Sequence, residues 1–133
     1  MAEKILAGGC LCGAVRYEAT GPFRDVVVCH CGQCRKWHGA APGYTAVDKP
    51  RFRLTAGEDK LRWYDSSPEA KRGFCAVCGS SLFWQGNTRP HISIAAGTLD
   101  GPTGLVTKAH YMTEHKGDFY ELPPGAREWD RTA

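Results

Sequence analysis

Cysteine supplies the chemistry in this sequence, and spacing sorts its seven copies. Cys29, Cys31 and Cys34 crowd into six consecutive residues. Cys10 and Cys12 form a close pair near the start, and Cys75 and Cys78 form another past the midpoint. The two remote pairs together can close a four-thiolate zinc site. The trio can hold a second zinc with one position open. A closed site is normally structural, whereas an open three-ligand site is where zinc catalyses.

Cys75-Ala76-Val77-Cys78-Gly79 reads as a zinc knuckle. No helix-forming stretch follows Cys78, so a redox thiol at a helix N-terminus is disfavoured. Joining this knuckle to Cys10 and Cys12 encloses 62 residues, numbers 13 to 74. Clipping so long a loop removes on the order of 4 kcal/mol of unfolded-chain entropy.

The trio lacks a fourth cysteine, so its fourth ligand is a histidine, water or substrate. His38, His110 and His115 are the histidine candidates. His30 points away if its neighbours Cys29 and Cys31 both ligate. A swapped partition, with trio thiolates completing the site of Cys75 and Cys78, is also open on spacing alone. Three thiolates around Zn²⁺ leave a net charge of about −1, which disfavours making hydroxide. Such a site suits a fourth sulfur, which would lose its proton on binding. The implied chemistry is making or breaking a carbon–sulfur bond.

Seven cysteines, an odd number, with no apolar run of signal-peptide length among the first nine residues, point to a reducing, cytoplasmic setting and to metal over disulfides. No stretch is long enough to span a bilayer. The formal charge of +3 and mildly basic character fade once thiolates and two zinc ions are counted, to a net of about 0. Nucleic acid is therefore a poor candidate partner. The aromatics are not interleaved with basic residues as a stacking platform would require.

The elements that must position these ligands are short. Sixteen glycines and eight prolines in 133 residues favour many turns and strands over long helices, within one domain covering residues 1–133. Alternating or β-branched runs predict strands over residues 14–19, 25–28, 44–47, 51–54, 60–64, 91–96 and 106–112, while residues 71–74 lead into the second cysteine pair and residues 81–84 lead out of it. The trio follows the second of these in a loop, and residues 35–41 have room for one helical turn closed by Gly39 and Pro42. The expected class is all-β.

Three segments carry a family resemblance: Gly9-Cys10-Leu11-Cys12-Gly13-Ala14-Val15-Arg16-Tyr17, Cys29-His30-Cys31-Gly32-Gln33-Cys34-Arg35-Lys36, and Phe74-Cys75-Ala76-Val77-Cys78-Gly79-Ser80. In order and spacing they resemble the glutathione-dependent formaldehyde-activating (GFA) family, to which relatives of centromere protein V also belong. The resemblance spans roughly residues 8–123. It implies a β-tent of small antiparallel sheets, a structural zinc on Cys10, Cys12, Cys75 and Cys78, and a catalytic zinc on Cys29, Cys31 and Cys34. The activity it implies is carbon–sulfur lyase chemistry, such as condensing glutathione with formaldehyde to S-hydroxymethylglutathione. Its partners would be a small-molecule thiol and an aldehyde.

Glutathione is anionic, so Arg35 and Lys36 beside the trio, and Lys71 and Arg72 before the second pair, are candidate contacts, with solvated surface charge as the ordinary alternative. Trp37 either walls a substrate pocket or packs in the core. His38 is the acid/base candidate. A non-catalytic zinc-binding interaction module and a thiol-redox sensor are the rival functions.

Overall fold

The computed structural model describes residues 4–128. Ten strands and one α-helix form two sheets. A three-stranded sheet runs β1 (Ile5–Gly9), β2 (Arg16–Thr20), β5 (Phe52–Ala56), with β2 in the middle and both pairings antiparallel. The larger sheet contains β3 (Val26–Cys29), β4 (Gly43–Asp48), β6 (Leu61–Ser67), β7 (Ala70–Cys75), β8 (Ser81–Gly86), β9 (His91–Ala95) and β10 (Thr107–Tyr111). Its order is β10-β3-β4-β9-β8-β7-β6. The all-β expectation is met, and each of the seven anticipated segments overlaps a strand. Not every pairing is antiparallel, because β10 lies parallel to β3 at one edge.

The core fills the space between the sheets. Alternation on β2 turns Tyr17 and Ala19 inward, and alternation on β9 turns Ile92 and Ile94 inward against them. Phe83 sits between Tyr17 and Phe52, with ring centroids 5.2 and 5.0 Å away in edge-on geometry. Burying a side chain such as Phe83 or Ile94 contributes about 1.5–3 kcal/mol, so this seam is the main source of cohesion. The opposite face of the large sheet is left with Arg72, Trp84, Ser93, His91 and Tyr44. The register sets Arg72 beside Trp84 and Trp84 beside Ser93, a row across three strands.

The helix α1 (Gly32–His38) begins earlier than residue 35 and makes two turns. Cys31 caps it, its sulfur accepting the Cys34 N–H at 3.3 Å, and Gly39 ends it in the left-handed conformation. The trio is thus not wholly in a loop: Cys29 ends β3, Cys31 is the cap and Cys34 lies one turn inside the helix. Strands β7 and β8, which flank the second cysteine pair, went unanticipated, and so did β1. Its residues, Ile-Leu-Ala-Gly-Gly, lack a clear alternation and form a strand by pairing with β2 along their whole length. No helix among the described residues is long and apolar enough to cross a membrane.

Candidate metal centres and the adjoining cavity

The first centre is built from two similar knuckles. In each, a glycine with positive φ follows the second cysteine (Gly13 at 82°, Gly79 at 81°). Its N–H donates back to the carbonyl of the first cysteine, Gly13 to Cys10 at 3.1 Å and Gly79 to Cys75 at 2.8 Å. A side chain other than glycine resists that backbone conformation. The four sulfurs of Cys10, Cys12, Cys75 and Cys78 lie within 4.8 Å of one another. The Cys10–Cys12 and Cys12–Cys75 sulfur separations are 3.6 and 3.8 Å. A tetrahedral zinc with Zn–S bonds of about 2.3 Å sets its sulfurs about 3.8 Å apart, so the donor set fits that ion. Backbone and hydroxyl donors prepare the thiolates. Val15 N–H reaches Cys10 Sγ at 3.2 Å, and the Ser80 hydroxyl lies 3.2 Å from Cys78 Sγ. The Ser80 hydroxyl, then backbone N–H groups at Cys12 and Ser80, hold the Cys78 thiol down at about 5.

The second centre has three sulfurs. Those of Cys29, Cys31 and Cys34 also lie within 4.8 Å of one another, and no histidine or carboxylate joins them among the described residues. The swapped partition is thereby resolved in favour of four and three. Hydrogen bonds from Cys29 and Cys34, followed by backbone N–H groups of Cys34 and Gln33, pull the Cys31 thiol down to about 2. Cys29 moves the other way, pushed up by its hydrogen bonds with Cys31 and Cys34 and by burial. Cys31 stands at the N-terminal end of α1.

The histidines weighed as a fourth ligand have other partners. His110 is buried, its Nδ1 2.9 Å from His30 Nε2, while the other His30 nitrogen meets the Tyr120 hydroxyl at 2.6 Å. His115 is exposed beside Glu114. His38 Nε2 is 2.6 Å from the Tyr44 hydroxyl.

Beside the trio lies a cavity of about 250 Å³ lined by all three of its cysteines. None of the other four cysteines reaches it. Its walls include Gln33, Tyr44, Trp84, Ser93 and Tyr111, together with Arg24, Arg72, Arg89 and His91. The candidates adjacent to the trio in sequence sit elsewhere. Lys36 is exposed, and neither it nor Arg35, Trp37 or His38 lines the cavity. Trp37 stacks on Tyr64 at 5.6 Å and meets Phe74 edge-on, while its Nε1 donates to Ser81 Oγ, which fastens α1 to the sheet. His38 acts on the cavity only through Tyr44. Burial, with Arg72 adding repulsion, lowers its pKa to about 4, while burial lifts Tyr44 above its usual range.

Arg72 is a surprise. It is 2% exposed, not a solvated surface charge, and its Nη2 donates to Gln33 Oε1 at 3.0 Å and Cys34 Sγ at 3.4 Å. The signal was in its strand: Arg72 stands two residues from Ala70 on the same side of β7, on a strand with sheet neighbours on both edges. Arg24, Arg89, His91 and Tyr44 had no such local signal. They meet only because three separate segments converge on one face of the large sheet.

Comparison with known proteins agrees with this architecture. A sequence profile described as glutathione-dependent formaldehyde-activating enzyme (GFA) matches residues 5–115. An uncharacterised lyase of Schizosaccharomyces pombe is 28% identical over 117 residues, covering 86% of this chain and 83% of that protein. A Halomonas elongata protein, provisionally named a glutathione-dependent formaldehyde-activating enzyme, is 29% identical over 96% of this chain and 85% of its own length. A crystal structure of a Rhodobacter sphaeroides protein superposes with a TM-score of 0.63 at 28% identity, covering 76% of this chain and 97% of that one. With a profile match over most of its length and two clusters of ligands at the expected spacing, the chain belongs to the glutathione-dependent formaldehyde-activating enzyme family.

Proposed function

We propose that the protein is a zinc-dependent enzyme that makes or breaks the carbon–sulfur bond of a thiol–aldehyde adduct, such as that of glutathione and formaldehyde, in a reducing cytoplasm. One observation carries the reading: the three-sulfur centre opens on a cavity and the four-sulfur centre does not. Two zinc ions per chain would divide accordingly, one structural on Cys10, Cys12, Cys75 and Cys78, one catalytic on Cys29, Cys31 and Cys34. A zinc held by three thiolates would keep an incoming thiol deprotonated and in place.

The remaining work falls to the chain. The cavity wall holds the thiol so that its sulfur faces the aldehyde carbon. As sulfur attacks, the carbonyl electron pair moves to oxygen, which takes up a proton to give the thiohemiacetal. The Tyr44 hydroxyl lines the cavity and has a partner behind it, His38, to orient it. It would hydrogen-bond the developing alkoxide and pass it the proton, with the thiol's proton restoring the balance. In reverse, the adduct's O–H proton would pass to the Tyr44 oxygen as the bond to sulfur breaks, while the hydroxyl's own proton goes to the departing sulfur. Arg72, against Cys34, offsets the negative charge of the trio.

The test is adduct formation by zinc-loaded protein, followed by NMR of labelled formaldehyde with glutathione. Wild-type protein should accelerate it, and a Cys29→Ser/Cys31→Ser protein that keeps its fold should not. Acceleration equal to that of free zinc would refute the proposal.

A further inference from the structure

We propose that the end of the cavity away from the trio is a carboxylate subsite, with Arg89 as its principal cation and His91 beside it. This subsite would select thiols by the separation between carboxylate and sulfur. The inference rests on the thiol reading above and adds which thiol the site takes.

The walls carry Arg24, Arg72, Arg89 and His91 and no aspartate or glutamate. Two of these cations are committed to the scaffold. Arg72 holds Gln33 and Cys34, and Arg24 Nη2 donates to the Tyr44 carbonyl at 3.0 Å. Among the described residues, no carboxylate pairs with Arg89. Its position is nonetheless defined. Its N–H closes a turn on Gly86 O at 3.1 Å, and a Cβ at Gly86 would stand 2.5 Å from Arg89 Cγ. The arginine stem therefore lies down over the end of β8, where only a glycine gives it room.

The arginines crowd His91. Burial lowers the His91 pKa, with Arg24, Arg89 and Lys49 contributing in the same direction, while Asp48, opposite on β4, works against them. A group of positive charges with one exposed acid at its edge is a place where an arriving carboxylate relieves repulsion and gains the forked donors of an arginine.

Spacing turns this into specificity. The row Arg72–Trp84–Ser93 marks the metal end, because Arg72 touches Cys34. His91 lies two residues from Ser93 along β9, about 7 Å at about 3.3 Å per residue. In cysteine the carboxylate sits on the residue that bears the sulfur. In cysteinylglycine it sits one residue further away, about 3.5 Å more when extended. From a sulfur held at the trio, the dipeptide thiol therefore reaches further along β9 than cysteine does. A cavity of about 250 Å³ also holds a dipeptide-sized thiol.

Zinc-loaded full-length protein would be titrated calorimetrically with cysteinylglycine, cysteinylglycine amide and cysteine. The acid should bind at least tenfold tighter than the amide, with cysteine the weaker of the two free acids. Arg89→Ala should abolish the preference for acid over amide while leaving amide affinity unchanged, and Arg89→Lys should restore part of it. His91→Gln should shrink the same preference. Equal binding of acid and amide, or an Arg89→Ala loss shared by both, would overturn the subsite and leave the thiol reading standing. Failure of all three thiols to bind would overturn both.

Discussion

Removing ligands from the two centres should affect stability unequally, and the structure gives the size of the difference. Consider Cys10→Ser/Cys12→Ser, which detaches one knuckle, against Cys29→Ser/Cys31→Ser, which dismantles the trio. The knuckles are tied across 62 residues, numbers 13 to 74. Loss of that tie returns about 4 kcal/mol of entropy to the unfolded chain. The trio closes only the short span from Cys29 to Cys34, worth at most about 2 kcal/mol by the same reasoning. Part of that span is already held by β3 and α1. Little packing confuses the first variant: Cys12 is exposed, and a serine oxygen at position 10 can still accept the Val15 N–H. For a chain of this size, about 4 kcal/mol corresponds to a fall in Tm of roughly 12–20 °C. Urea unfolding of zinc-loaded proteins, followed by tryptophan fluorescence with metal content measured in parallel, would read both values. Each variant should retain one zinc per chain. Equal destabilisation, or a larger loss from the trio variant, would refute the division into a structural and an open centre.

Other substitutions probe single residues. Tyr44→Phe should keep the fold, cost about 1–2 kcal/mol by leaving His38 without its hydroxyl partner, and slow adduct formation by about 10²-fold; an unchanged rate would remove Tyr44 from the proton transfer. His38, with its pKa lowered from 6.5 to about 4, binds fewer protons folded than unfolded in that interval. Its contribution is therefore present above pH 6.5 and lost as pH falls toward 4. His38→Gln should flatten the acid side of the stability profile relative to wild type, measured by urea midpoints at pH 7 and pH 5. Gly57, at φ 79°, has the Ala14 carbonyl oxygen 1.9 Å from where a Cβ would stand. Gly57→Ala should cost at least ~2 kcal/mol, since the left-handed conformation and a backbone clash add; a neutral result in thermal unfolding would contradict the packing of β2 against this turn.

Seven of the ten strands were legible because their patterns are local. Ala14 to Ala19 and His91 to Ala96 alternate, and a half-buried strand needs no more than that. The helix boundary was misread because its first residues include a glycine and a cysteine, poor helix formers that are helical here because Cys31 caps them. Spacing separated the metal ligands, but it could not choose between partitions. That choice depended on which knuckle folds toward which, a fact of topology. The cavity wall was not legible at all. Arg89 and His91 sit far in sequence from the trio and near it only through the pairing of β4, β8 and β9. Proximity in sequence, the only guide to Arg35 and Lys36, led to residues outside the cavity.

Arg72 links the metal chemistry to the fold. An arginine is almost never fully buried unless it is paired, and two of its nitrogens, Nε and Nη1, have no hydrogen-bond partner in the structure. Its compensation is the sulfur cluster, reached through Cys34 Sγ. When thiolates ligate zinc, the cluster is anionic and the arginine is satisfied. When they are protonated, a buried cation faces neutral thiols. The sheet therefore carries a charge whose cost depends on the state of the trio. Arg72→Met should accordingly destabilise zinc-loaded protein more than protein stripped of the trio metal, whereas a purely packing role would give equal losses. Unfolding of both proteins with the trio loaded and emptied, the four-cysteine centre intact throughout, separates the two cases.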